Sequence, residues 1–337
     1  MLLTHSFFSR TLVCIESIAL FIPLEGIMAT HVIIGSGPVA HATAVELLRN
    51  GHAVRSVSRT GGGKMPVGVA RVKANASDRS MLIEVTRGAA TIYNCVNPPY
   101  HRWAQEWPPI ARNLLAAAEQ HGAVLVTISN LYGYGPSTKP FKETDPLSAT
   151  GTKGRVRATM WNEAFAAHAA GRVRVTEARA SDFVGPLVRN AHLGERVVPN
   201  ILTGKAVAML GRLDVAHAMT AIGDVGIAMA ILGTDERALG RAWHVPTAPA
   251  QTTGQNIAAL CRAAGVKTVK ARTMPSPVLK LVGVFSPLMK EMVEVEYQFA
   301  KPFDLDSSAF TATFDVKPTP LDETFAATVA WYRTQTA

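Results

Sequence analysis

The sequence predicts a doubly wound α/β fold built on a parallel sheet. Short β-branched runs alternate with longer helical stretches from Thr30 to about residue 180, as repeated βαβ units require. The glycine-rich turn Gly35-Ser36-Gly37-Pro38-Val39-Ala40 joins the first run to the first helix, and no linker-like, low-complexity or repeated segment interrupts the stretch.

The elements follow in order. His31–Ile34 reads as the first strand and Val39–Arg49 as a helix, with Ala40, Ala44, Leu47 and Leu48 on one face and Gly51 just past its end. Strands are expected at Ala53–Ser58, Val67–Ala74 and Ala90–Asn94, with a short helix at Arg79–Val85. A helix over Trp103–Gln120 is expected to break near its start at Pro108-Pro109. Strands at Val124–Ile128 and Arg174–Ala178 flank a Gly/Pro/Ser-rich loop and a helix at Arg155–Ala169. Beyond Pro186 the rhythm loosens into helices such as Val225–Leu232 and Thr253–Ala264. The last helix, Leu321–Trp331, is expected to open on a Thr319 N-cap with Pro320 at N1. The division is an extension at 1–27 outside the fold, a core at 28–186, and a small C-terminal substrate-binding lobe at 187–337 that returns some elements to the core.

Composition narrows the function. At 337 residues, 48% hydrophobic and 18% charged, the chain has the makeup of a globular enzyme. Its net charge of +9 is scattered, with no run of four basic residues and no interleaved aromatic stripe, so no nucleic-acid partner is expected. A positive field of this kind draws in anionic cofactors instead. Cys14, Cys95 and Cys261 are far apart, which indicates neither a disulfide scaffold nor a zinc site, and the ten histidines are dispersed. Thr11–Pro23 is apolar apart from Glu16 and Ser17, shorter than the roughly 20 residues that span a bilayer. It has no A-x-A cleavage site, and Met28 reads as the natural start of the working domain; a cytoplasmic protein with no membrane partner is expected.

The glycine turn carries chemistry because a strand precedes it and a helix follows it. Gly35 allows the tight turn, Gly37 lets the backbone approach a pyrophosphate, Ala40 permits close packing of helix on strand, and the helix N-terminus offers free N–H groups. This is a Rossmann-type dinucleotide site with Ser36, Pro38 and Val39 in its wall. NAD sites place an acid about 20 residues on, for the ribose 2′-hydroxyl. Here no Asp or Glu lies between Glu46 and Asp78, and the second strand ends in Ser58-Arg59 with Lys64 close behind. A guanidinium there suits a 2′-phosphate, so NADP(H) is expected in preference to NAD(H).

With these residues in place, the chain resembles the extended and atypical short-chain dehydrogenase/reductases, the NAD-dependent epimerase/dehydratase superfamily. The resemblance runs from about Thr30 to Arg333. It rests on the glycine turn, Asn75-Ala76-Ser77-Asp78, Tyr132-Gly133-Tyr134-Gly135-Pro136, Glu143-Thr144-Asp145-Pro146-Leu147, Arg179-Ala180-Ser181-Asp182-Phe183-Val184-Gly185-Pro186 and Gly223-Asp224-Val225. It implies that Asn75 and Ala76 line the adenine, that Cys95, Val96 and Asn97 border the nicotinamide-side ribose, and that Ser181 meets the nicotinamide amide. Dimerisation through two helices per subunit is common in the family, which makes a homodimer a further expectation.

The family's catalytic Ser/Thr and YxxxK pair are missing. Alignment of the motifs puts Asn130 at the Ser/Thr position, Lys153 at the Tyr position and Arg157 at the Lys position. Arg157 can hold ribose hydroxyls but cannot shuttle a proton. Lys153, set beside a positive nicotinamide and Arg157, would release a proton more readily to a carbonyl oxygen that accepts hydride, and Asn130 would hydrogen-bond the same oxygen. Tyr132 and Tyr134 are further phenol candidates. Asp182 sits near the expected substrate mouth, and His101, Arg102 and Trp103 lie in a loop where α/β enzymes place substrate contacts. The implied activity is an NADP(H)-dependent oxidoreductase or epimerase acting on a small carbonyl, hydroxyl or sugar-type substrate. The alternative is a catalytically silent NADP(H)-binding redox sensor.

Overall fold

The computed structural model describes residues 29–274, 278, 281, 284–285 and 287–336. The extension expected at 1–27 lies outside them. The first half of the chain runs β1 (Thr30–Ile34), α1 (Pro38–Arg49), β2 (Ala53–Ser58), β3 (Ala70–Lys73), α2 (Arg79–Val85), β4 (Ala89–Asn94), α3 (Trp103–His121), β5 (Val124–Asn130), α4 (Thr152–Ala169) and β6 (Arg174–Ala180). The second half runs β7 (Asp182–Val184), α5 (Val198–Leu202), β8 (Val207–Leu210), β9 (Ala216–His217), β10 (Met219–Ala221), α6 (Ile222–Leu232), β11 (Ala242–His244), β12 (Gln251–Thr252), α7 (Thr253–Ala263) and β13 (Ala271–Met274). It closes with α8 (Pro287–Glu294), α9 (Tyr297–Ala300), α10 (Ser308–Phe314) and α11 (Leu321–Thr336).

Seven strands form one parallel sheet in the order β11-β6-β5-β4-β1-β2-β3, the doubly wound arrangement expected. Strand alternation assigns the two faces. Ile33 of β1 joins the core formed with α1 and α6, whereas Val32 and Ile34 join the opposite core formed with α2, α3 and α4. β11, from well beyond residue 187, completes the edge beside β6, so the C-terminal half feeds back into the sheet. A third apolar cluster joins α5, α7, β8 and α11 through Val198, Ile201, Leu260 and Phe325.

Three local expectations differ from the structure. The third strand is shorter than Val67–Ala74, because Val67 is fully exposed and Gly68 turns the chain at φ 93° before the edge strand begins. α3 does not break at Pro108-Pro109. The carbonyls those prolines leave without donors belong to Ala104 and Gln105, which are exposed to solvent, while buried Trp103, Trp107, Ile110 and Leu114 fix the helix on the core. Thr319 does not cap α11: its backbone N–H and hydroxyl donate to the buried Asp224 carboxylate at 2.8 and 2.6 Å, tying the helix start to α6.

Candidate functional site

The carboxyl ends of β1, β4, β5 and β6 open onto a cleft of about 420 Å³, where open α/β sheets place ligands. One end is the glycine turn. Gly35 has φ 130°, and a Cβ there would fall 2.6 Å from the Cys95 carbonyl oxygen, so only glycine serves. Its N–H donates to the Val57 carbonyl at 2.8 Å, fixing the turn between β2 and β4. Gly37 differs: it is the N-cap of α1 at φ −83°, and a Cβ there meets nothing within 4 Å. The start of α1 is therefore open at Gly37, where the helix's first N–H groups have no intrahelical acceptor. A smaller depression of about 170 Å³ adjoins the turn, lined by Ser36, Gly37, Pro38, Lys64, Leu187, Arg189 and Trp331. Leu187 holds a left-handed φ of 68° there, an uncommon conformation for a bulky side chain.

Gly37, Pro38, Val39, Cys95, Asn97, Asn130, Arg157 and Ser181 all line the main cleft. Burial pushes the Cys95 thiol up to about 12. Ser181 is fixed by its hydroxyl, which donates to the Ala218 carbonyl at 2.8 Å, and by its N–H, which donates to Thr220 Oγ1 at 3.2 Å. Asn130 Oδ1 accepts from the Tyr132 N–H at 3.1 Å. Ala40 is buried on the sheet. Ser58 donates to the Gly62 carbonyl at 3.1 Å, and Arg59 is exposed at the end of β2, with no hydrogen bond or ion pair among the described residues. Asn75 and Ala76 lie outside the main cleft, Asn75 closing a turn by accepting from the Ser77 N–H at 3.1 Å.

Two expected catalytic groups are not in the cleft. Lys153 is 1% exposed, and its ammonium donates to Glu291 and, at 3.1 Å, to Glu294, both on α8. Glu294 also accepts the Lys153 backbone N–H at 2.7 Å and so caps the start of α4. Tyr134 turns the other way from Tyr132 in the single 3₁₀ turn they share. It accepts from Arg179 at 2.7 Å, pairs with His244 Nε2 at 2.8 Å and lines a separate surface groove. His101 and Arg102 are exposed, Arg102 pairing with Glu106 at 2.7 Å, while Trp103 reaches the cleft.

In their place the cleft gathers Tyr100, Tyr132, Asp182 and Gln298, with His217 behind them. The two phenol oxygens are 3.1 Å apart, and Gln298 donates its amide to Tyr132 at 3.3 Å. Burial holds both phenols above their usual range, Tyr132 far above it, which keeps them protonated donors. His217, 1% exposed, points Nε2 at Asp182 Oδ2 (2.7 Å) and Nδ1 at the Gln298 carbonyl (2.9 Å). The imidazole is thereby fixed between the Asp182 carboxylate and the Gln298 carbonyl. Burial pushes the Asp182 carboxyl up, but the hydrogen bond and charge of His217 outweigh it and leave the group below the usual range. His192, stacked on Phe299 at 4.5 Å, is lowered to about 3 by burial and by His217. Tyr100 lay in a loop singled out by its place after a strand, but nothing in the spacing signalled His217 or Gln298. Among the described residues no cluster of metal-ligand type occurs, and no helix is long and apolar enough to cross a membrane.

This is the fold of the epimerase/dehydratase enzymes. No protein-family model and no curated protein matches the sequence. Among solved structures, the chain is similar to a UDP-glucose 4-epimerase from Thermotoga maritima solved with UDP-glucose, at TM-score 0.75 and 16% identity over 91% of this chain and 100% of that one. It is also similar to a dTDP-glucose 4,6-dehydratase from Bacillus anthracis solved with NAD, at TM-score 0.73 and 16% identity over 91% and 97% of the two chains. A Thermus thermophilus UDP-glucose 4-epimerase solved with NAD gives TM-score 0.71 and 18% identity over 90% and 99%.

Proposed function

We propose that the chain binds a nicotinamide dinucleotide across the ends of β1, β4, β5 and β6 and catalyses oxidoreduction or epimerisation of a small hydroxyl, carbonyl or sugar-type compound. The observation that carries this reading is the cleft itself, which starts at the open Cα of Gly37 and ends against Ser181 and Asp182. Gly35, Gly37 and the start of α1 would hold the pyrophosphate, with Lys64 and Arg189 near it. Cys95, Asn97 and Ser181 would border the nicotinamide end. A bound nicotinamide supplies or accepts a hydride.

The proton is handled by the chain's own residues. Asp182 takes it from a substrate hydroxyl or returns it to a carbonyl oxygen, with His217 holding the carboxyl in place and stabilising its charge. The Asn130 amide and the Tyr132 phenol are the neutral donors at the same wall. Lys153, held by two carboxylates away from the cleft, supports α8 against α4 rather than the chemistry.

The choice of dinucleotide turns on Arg59. Exposed and without a protein partner, it is free for a 2′-phosphate, and no carboxylate between Glu46 and Asp78 offers itself to a ribose hydroxyl. Both favour NADP(H), whereas the NAD found in two of the similar structures weighs toward NAD(H). The silent sensor is the second reading, favoured by the engagement of Lys153 and the missing YxxxK.

Fluorescence titration with NADPH and NADH tests the proposal. Gly37→Ala is conformationally permitted and meets no protein atom, so it should fold as the wild type does yet bind dinucleotide about tenfold or more weakly, a loss of about 1.4 kcal/mol. Affinity for neither dinucleotide in the wild type, or unchanged affinity in Gly37→Ala, overturns it. Turnover on no member of a carbonyl panel despite tight binding selects the sensor.

A further inference from the structure

Among the described residues, Arg157 is a buried cation with no ion-pair partner. It is 7% exposed, and its guanidinium packs against the mutually perpendicular indoles of Trp103 and Trp107, 4.6 and 4.5 Å from their centroids. Among the described residues its Nε is buried with no hydrogen-bond partner, and its one hydrogen bond is a long one, from NH1 to the Ile128 carbonyl at 3.4 Å. The nearby carboxylate, Glu177, is itself buried and engaged by Arg179 at 2.7 Å. Burial accordingly lowers the Arg157 guanidinium to about 10, with Glu177 only partly opposing it.

Taking a guanidinium out of water without an anion is costly, and a fold rarely does so unless a ligand completes the pair. The exposure that remains is to the cleft, which Arg157 lines together with Asn130 and the Tyr100 and Tyr132 phenols. Asn130 Oδ1 is already taken by the Tyr132 N–H, which leaves the amide Nδ2 as a further donor in this wall.

We propose that Arg157 receives the carboxylate of a small anionic substrate, so that the compound processed here is a hydroxy or oxo acid, or a sugar acid. The two indoles stand nearly perpendicular, at 82°, and flank the guanidinium on adjacent sides, which leaves an edge of it toward the cleft. A planar carboxylate matches that edge with two oxygens, whereas a tetrahedral phosphate is bulkier and must shed more water. Asp182 and His217, in the same cleft, then handle the proton of the hydroxyl or carbonyl next to that carboxylate. This assignment rests on the proposed function for the orientation of the substrate, but the anion site itself is tested apart from it.

The probes are L-lactate, acetate and inorganic phosphate, titrated at constant ionic strength and read by the indole fluorescence that Trp103 and Trp107 contribute beside the guanidinium. Lactate is expected to bind the wild type saturably and more tightly than phosphate, to bind Arg157→Met about tenfold or more weakly, and to bind Arg157→Lys at an intermediate level, since the charge survives but the planar fork is lost. Saturating NADPH or NADH should leave lactate bound. Equal responses of wild type and Arg157→Met, a preference for phosphate, or displacement of lactate by the dinucleotide overturns the inference, the last by assigning Arg157 to the cofactor. If Arg157→Met does not fold, the Arg157→Lys titration and the wild-type competition decide the matter. Retained lactate binding without dinucleotide affinity would remove the proposed function and leave the anion site standing.

Discussion

Lys153 and Arg157 stand one turn apart on α4, and both are buried cations, but α8 reaches only the first. Lys153 meets two carboxylates from α8, and the same Glu294 caps the helix. Arg157 meets two indoles and, among the described residues, pairs with no carboxylate. The first turn of α4 is thus closed by the protein, whereas the second is closed only against apolar rings and stays electrostatically incomplete. An incomplete buried charge beside a cleft points to a ligand, whereas a complete one points to architecture.

The largest effect should come from breaking the complete site. Glu291→Gln with Glu294→Gln leaves Lys153 charged, buried and unpaired, and should lower the unfolding free energy toward the low end of the about 3–5 kcal/mol typical of a broken buried pair, because both carboxylates are about a quarter exposed. Urea unfolding measures this, and a loss below about 1 kcal/mol would mean that α8 does not hold Lys153. Arg157→Met in the ligand-free protein should behave in the opposite way. With no anion partner to lose, its stability should stay within about 1 kcal/mol of the wild type, lost cation–π contact offsetting the relief of a buried charge. A drop of several kcal/mol would show that Arg157 is already paired, and the contrast between the two turns would vanish.

The same contrast explains which parts of the molecule could be read from sequence. The turn from Gly35 to Ala40 is local: strand, glycines and helix lie within the single stretch Thr30–Arg49, and their backbone requirements appear in the residue types themselves. The parallel sheet was legible for a similar reason, because alternating runs such as Ala53–Ser58 and Arg79–Val85 carry their own periodicity. The polar end of the cleft draws on Tyr100, Tyr132, Arg157, Asp182, His217 and Gln298, six separate places in the chain. No spacing rule links His217 to Asp182, and none links Lys153 to Glu291, 138 residues away. Motif position put Lys153 and Arg157 on the same helix face, but only the packing of α8 decides which one is left lining the cleft.

The smallest effect concerns acid. The Asp182 carboxyl lies below its usual range in the fold, so the unfolded chain binds the proton more readily. Its contribution to stability is therefore present above about pH 4, the unfolded value, and is lost as pH falls through the folded value. With about a quarter of the carboxyl exposed, the contribution is about 1 kcal/mol or less. His192 works over a different window. Its folded value of about 3 lies below the unfolded 6.5, so stability declines as pH falls from about 6.5 toward 3, a decline that the Asp182 charge moderates but does not remove. Asp182→Asn should accordingly keep the decline between pH 6.5 and 4 and lose only the additional one below it. Parallel urea-unfolding curves for the two proteins at pH 7, 5 and 3.5 read this directly. If the two proteins decline alike below pH 4 as well, His217 does not hold the Asp182 carboxyl ionised, and Asp182 could not serve as the group that takes up the substrate's proton.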